Sequence, residues 1–126
     1  MTQEDINKIN SNCPYEQGIF IEPSMIPVHI KEPVIYSRYK TSGYSGGSYS
    51  GGEAEYFQVD EPKDKYRVIE MVLELLKPDI KLSQYKKILS MIHTNEETEN
   101  EYYGNSDDYK VEYIILSELE TYLNEI

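Results

Sequence analysis

Apolar and polar positions along the chain change period several times, and each change marks an element. The helical period is clearest over residues 62–77. Arg67, Glu70, Glu74 and Lys77 recur at spacings of three, four and three and form one polar stripe. Val68, Ile69, Met71, Val72, Leu73, Leu75 and Leu76 fill the remaining circumference. A helix apolar over most of its surface belongs at the centre of a core. Pro62 suits its first turn and Pro78 ends it. A second helix is predicted over 83–93, with Ser83 as N-cap. Tyr85, Ile88, Leu89 and Ile92 mark its buried face, and Lys86 and Lys87 face out. The short spacer 79–82 folds the two into an antiparallel helical hairpin. Residues 3–11 read as a short frayed helix. The last helix starts at Ser117, where Ser117 and Glu120 have capping-box spacing, and Leu116, Leu119, Leu123 and Ile126 form its stripe.

The strand period appears elsewhere. Ile19, Phe20 and Ile21 follow Gly18 as a short strand. Pro23, Pro27 and Pro33 punctuate the next stretch, so extended segments at 28–30 and 34–39 belong to edge strands or start beside a proline. His29 lies within the first of these and has no ligand partner nearby in sequence. Tyr56, Phe57 and Val59 suggest a strand returning to the sheet within 53–60. Tyr102 and Tyr103 lead into a turn at Gly104-Asn105. Tyr109, Val111, Tyr113 and Ile115 then alternate on one face, giving a hairpin over 102–115 with an acidic tip. The predicted fold class is α+β: one domain of 126 residues with a small antiparallel sheet packed against about three helices. Its parts are an extended portion at 1–37, a loop at 38–52, the helical hairpin at 62–93, and an acidic hairpin with the last helix at 94–126.

Residues 38–52, RYKTSGYSGGSYSGG, hold five glycines, three tyrosines and two cations but no acid. One reading is a flexible Gly/Ser linker or mobile loop. The other is a recognition loop. Gly46-Gly47 and Gly51-Gly52 can turn successive N–H groups to one side as an anion nest. Arg38 and Lys40 add positive charge, and Tyr39, Tyr44 and Tyr49 offer ring faces. Neither phosphate-loop fingerprint, GxGxxG nor GxxxxGK[ST], is present.

Charge changes this picture. The net charge is −11, and residues 94–126 carry ten acids against Lys110 alone. Six of those acids, Glu96, Glu97, Glu99, Glu101, Asp107 and Asp108, lie in 94–108. The run reads as a solvated loop or as a mimic of a phosphate backbone. It lacks the spacing of a calcium loop. Such a surface repels nucleic acid and attracts a basic groove on another protein. The helical hairpin is a poor DNA reader for the same reason.

Cys13 is the only cysteine, which excludes an internal disulfide and suits a reducing cytoplasm. No run approaches a membrane span, and the polar N-terminus has no signal-peptide core. A soluble, cytoplasmic protein is expected. Both histidines are isolated, and no serine or cysteine sits in a nucleophile motif. No metal-ligand spacing appears, and no carboxylate pair stands out among many. The expectation is a binding protein with no catalytic residue, metal or cofactor.

The stretch RYKTSGYSGGSYSGG and the tail EYYGNSDDYKVEYIILSELETYL together resemble small uncharacterised proteins of phages and prophages of Gram-positive bacteria. The resemblance lies in the order of features. Pro-rich strands come first, then an Arg-Tyr/Gly-Gly loop, two helices, a Tyr-Tyr-Gly-Asn hairpin and a last helix. It runs from about Cys13 onward. Where such proteins carry a Cys-Trp pair in the glycine loop, this chain has Ser48-Tyr49. The resemblance implies an inhibitor of host defence, of the anti-CRISPR or DNA-mimic kind, acting in the host cytoplasm.

Three binding roles follow. The first is occupation of the basic nucleic-acid groove of a host enzyme by Glu96, Glu97, Glu99, Glu101, Asp107 and Asp108. The second is a nucleotide or phosphate site built from Arg38, Tyr39, Lys40, Tyr44, Gly46, Gly47 and Tyr49, serving as a sponge for a nucleotide signal. The third is an acidic immunity or antitoxin partner of a basic toxin. Tyrosines and edge strands are also compatible with a homodimer.

Overall fold

A computed structural model describes residues 1–14, 16–21, 30–45, 55–100 and 105–126. The elements in chain order are α1 (Gln3–Ser11), β1 (Gln17–Ile21), β2 (Pro33–Ser45), β3 (Glu55–Gln58), α2 (Arg67–Leu76), α3 (Leu82–Ser90), β4 (His93–Asn100), β5 (Ser106–Ile115) and α4 (Leu116–Glu125). The five strands form one antiparallel sheet of order β1-β2-β5-β4, so the chain is an α+β fold with a small sheet packed against helices. β5 occupies one side of the long strand β2. β1 and β3 share the other side end to end, at residues 33–37 and 42–45.

The pleat sends alternate residues of β2 to opposite faces. Ile19, Ile35 and Ile114 are register partners and form a β-branched row under the helices. They pack with Ile9 of α1, Val68, Ile69, Val72 and Leu73 of α2, Ile88 of α3, and Leu116, Leu119 and Leu123 of α4. Val34, Tyr36, Val111 and Tyr113 point the other way and form a second cluster with Ile30 and Ile115. Phe20 closes on Tyr36 edge-to-face at 5.8 Å, and His93 stacks on Tyr113 at 5.1 Å.

Several sequence expectations change here. β2 runs on through Ser45, so residues 38–45 are strand and not loop. Gly43, within the stretch read as a loop, lies on the strand opposite Phe57. A Cβ there would meet the Phe57 ring at 2.3 Å, so the missing side chain gives the ring a seat on the strand. The acid run is also strand: β4 covers 93–100, and the hairpin starts earlier than 102. Helix α3 stops at Ser90, before 93. Its N-terminus is met by Gln84, whose side chain accepts from Lys81 N at 3.0 Å, while Ser83 lies inside the first turn. Ser117 is not a cap either. β5 passes directly into α4, and the Ser117 hydroxyl donates to Glu32 Oε1 at 3.0 Å. A true capping box sits at α1, between Thr2 and Asp5. In α2 the apolar surface is wider than the core needs, and Leu75 and Leu76 are exposed. The extended residues 28–29 and the 102–104 turn lie outside the described residues.

Candidate functional site

Beyond Tyr36, the same two central strands turn from apolar to charged. On the face away from the helices β2 presents Arg38, then Lys40. A bulge between Lys40 and Ser42 shifts the register, so Ser42 pairs with Asp108 and Gly43 with Asp107. β5 adds Tyr109 and Asp107 to this face, and β4 adds Glu97 and Glu99, which share a face because they are two residues apart on a strand.

Arg38 is the centre of the arrangement, with only 8% of its surface exposed. Its guanidinium lies 3.7 Å from the centre of the Tyr109 ring. Nη1 donates to both Glu16 carboxylate oxygens, at 3.2 and 2.8 Å, and Nη2 donates to Glu99. Nε sits 3.8 Å from Glu97 and has no hydrogen-bond acceptor among the described residues. Glu16 is held twice, because its carbonyl also accepts from Arg38 N at 3.1 Å. Its φ of 61° makes it the one described non-glycine residue in the left-handed region. Three carboxylates therefore surround one guanidinium, and the cluster remains net negative.

The neighbouring acids are engaged as well. Asp107 pairs with Lys40 at 2.8 Å, and Lys40 also lies over the Phe57 ring at 5.0 Å. Asp108 accepts from the Ser42 hydroxyl at 2.6 Å and the Thr98 hydroxyl at 2.7 Å. Those two hydrogen bonds hold its carboxyl below the usual aspartate range. Glu96 is exposed on the opposite face of β4, and its carboxylate makes no ion pair or hydrogen bond among the described residues.

On the helix side a second polar network closes the end of the core. The Tyr39 hydroxyl donates to Glu112 at 3.0 Å, and Lys65 lies 3.6 Å from Glu112 and 2.9 Å from Glu61. Burial, then the hydrogen bond and charge of Glu112, push the Tyr39 phenol well above its ordinary range. Burial acts against the Lys65 ammonium, but hydrogen bonds to Glu61 and Tyr66 and the Glu112 charge outweigh it and raise its pKa.

The six acids and the seven ligand-loop residues therefore divide. Arg38, Lys40, Glu97, Glu99 and Asp107 come together in one cluster. Asp108 is tied to its neighbours across the sheet, and Glu96 stands free. Tyr39 points away from Arg38 into the Glu112 network, and Tyr44 is part-exposed on β2 beside Tyr56. Glu101, Gly46, Gly47 and Tyr49 lie outside the described residues. Sequence reasoning placed Tyr109 only in the strand alternation and did not single out Glu16 or Glu112. That same alternation puts Glu112 on the other face of the strand, with Lys110. Glu16 carries no such signal.

An open groove of about 450 Å³ runs along the cluster between Glu16, Arg38, Lys40, Glu99 and Tyr109. An anion entering it would have to displace a carboxylate from Arg38 in a net negative field. Among the described residues no group of three or more His, Cys, Asp or Glu side chains could hold a metal ion. No described helix is long and apolar enough to cross a membrane. No family model, no curated protein and no solved structure matches the chain.

Proposed function

We propose that the protein is a phage-type inhibitor that occupies a basic, nucleic-acid-binding surface of a host defence enzyme with the acidic β4–β5 end of its sheet. The observation that carries this reading is the layout of β4. Glu96, Glu97 and Glu99 lie within four consecutive residues of one extended strand that is half-exposed to exposed along its length. A strand rises about 3.4 Å per residue, so Glu97 and Glu99 stand about 7 Å apart on one face, about two charge steps of one strand of duplex DNA along its axis. Arg38 fixes Glu97 and Glu99 in place without cancelling the field, because it is one cation among three carboxylates. Pre-set carboxylates lose little side-chain freedom on binding. The defence-enzyme target and the cytoplasmic setting follow from the resemblance to small acidic phage proteins.

The pairing of Arg38 speaks against a nucleotide sponge, since its guanidinium is already occupied. The test is capture from a bacterial lysate at low and high salt, with a denatured extract of the protein analysed for nucleotides. A basic nucleic-acid enzyme held at low salt, released at high salt and lost on Glu96→Lys is the expected result. A released nucleotide with no protein partner would overturn it.

A further inference from the structure

The two long edges of the sheet are finished differently. At β1 the outer edge is covered. The side chain of Asn10 on α1 accepts from Ile19 N at 2.7 Å and donates to Ile19 O at 3.0 Å, doing what a neighbouring strand would do. At β4 no such cover exists among the described residues. Its backbone pairs with β5 along residues 93–100, and no backbone or side-chain hydrogen bond from a described residue reaches its other edge. Alternate N–H and C=O groups of an antiparallel edge strand point outward, and such a row is a template for an added strand.

We infer that β4 is a docking edge for an extended, lysine- or arginine-bearing segment of a partner protein, which adds to the sheet as a further antiparallel or parallel strand. The charge of that segment follows from the side chains. Glu97 and Glu99 flank the edge on one face and Glu96 on the other, so cations at every second position of the incoming strand share one face and meet Glu97 and Glu99 there, or Glu96 if the strand presents its other face. A second copy of this chain is the wrong occupant. Antiparallel self-pairing centred between Glu96 and Glu97 sets those two glutamates opposite each other and Glu99 opposite Thr94, and centring on Glu97 sets Glu97 against itself. An acidic partner is excluded for the same reason.

The inference rests on the acidic-binder reading for the partner's charge but not for the edge. Two peptides separate them. One matches the 8 residues of β4 and alternates lysine with threonine. The other alternates lysine with proline and keeps the charge, but cannot supply a strand ladder. Binding to the intact protein is measured at low salt, together with amide hydrogen exchange of β4. The Lys-Thr peptide is expected to bind at least about tenfold more tightly than the Lys-Pro peptide and to slow exchange at alternate β4 amides. Glu96→Lys is expected to weaken it by about tenfold, through charge reversal beside the edge. Equal binding of both peptides would overturn strand addition and leave the acidic-surface reading standing. Binding of neither would overturn both. Protection of β4 amides in a dimer of the protein alone would also overturn the inference.

Discussion

Two successive stretches of the central strand pair, one around Val34 and one around Arg38, are both buried, but by different means. At one end Val34 and Ile114 are fully enclosed by apolar neighbours. At the other, Arg38 is almost as enclosed, yet Glu16, Glu97, Glu99 and a tyrosine ring surround it. Apolar burial is non-directional and is not weakened by charge screening. A buried cation is retained only while its carboxylates stay in place. The apolar end is therefore the anchor of the fold. The charged end is a field whose strength depends on salt, pH and the pairing of a few side chains.

Breaking the apolar end should cost most. Ile114→Ala removes a fully buried branch from the row Ile19–Ile35–Ile114. It should lower unfolding free energy by about 2–5 kcal/mol. The urea midpoint should fall equally at low and high salt.

Breaking the charged end should cost less and respond to salt. Arg38→Met leaves three carboxylates around an apolar side chain. Because those carboxylates are partly exposed, the loss should be about 1–3 kcal/mol. Added salt should recover part of it by screening. Arg38→Lys keeps the charge but loses the fork that reaches Glu16 through Nη1 and Glu99 through Nη2, and the flat stack on Tyr109, so it should fall between Arg38→Met and wild type. Equal salt responses in Ile114→Ala and Arg38→Met would erase the distinction between the two ends.

Alkali should act next, through the tyrosine and lysine groups at the junction of the two ends. Burial, then the Glu16 charge, push the Tyr36 phenol up to about 12. Tyr39 and Lys65 are raised as well. Each binds its proton more tightly in the folded protein than in the unfolded chain. Their stabilising contribution is therefore complete below about pH 10, the ordinary range of these groups, and is lost as pH rises through the folded values. Urea midpoints should fall on the alkaline side, and Tyr39→Phe should reduce that slope.

The smallest effect belongs to Asp108. The Ser42 and Thr98 hydroxyls lower its pKa, so its contribution is present above the ordinary aspartate value and is lost as pH falls through the folded one. Ser42→Ala should move the Asp108 titration back toward the ordinary value by NMR. An unchanged titration would mean that the Ser42 hydrogen bond does not hold the carboxylate.

Much of the fold was legible in hydrophobic period. α1, α2, α3, α4, β1 and the β5 alternation all carry it, because each buries one side against the core. The two long misreadings share a cause. β4 reads HTNEETEN and has no apolar residue to alternate. It is a strand because β5 offers it a ladder, and side-chain period cannot register that. β2 was cut short after Tyr39 because glycine and serine signal loops. Gly43 instead makes room for Phe57, a partner far along the chain. The site was legible only as charge. The acids of 94–108 and the cations Arg38 and Lys40 were visible as two separate features with opposed functions. Folding joins them, and the cations become the supports of the acids.

The most direct measurement is competition. The enzyme captured from the lysate is mixed with labelled nucleic acid, and this protein is added across a salt series. Acidic mimicry predicts that the nucleic acid is displaced, that displacement weakens steeply with salt, and that Glu96→Lys displaces poorly. A stable ternary complex of enzyme, nucleic acid and this protein would contradict it.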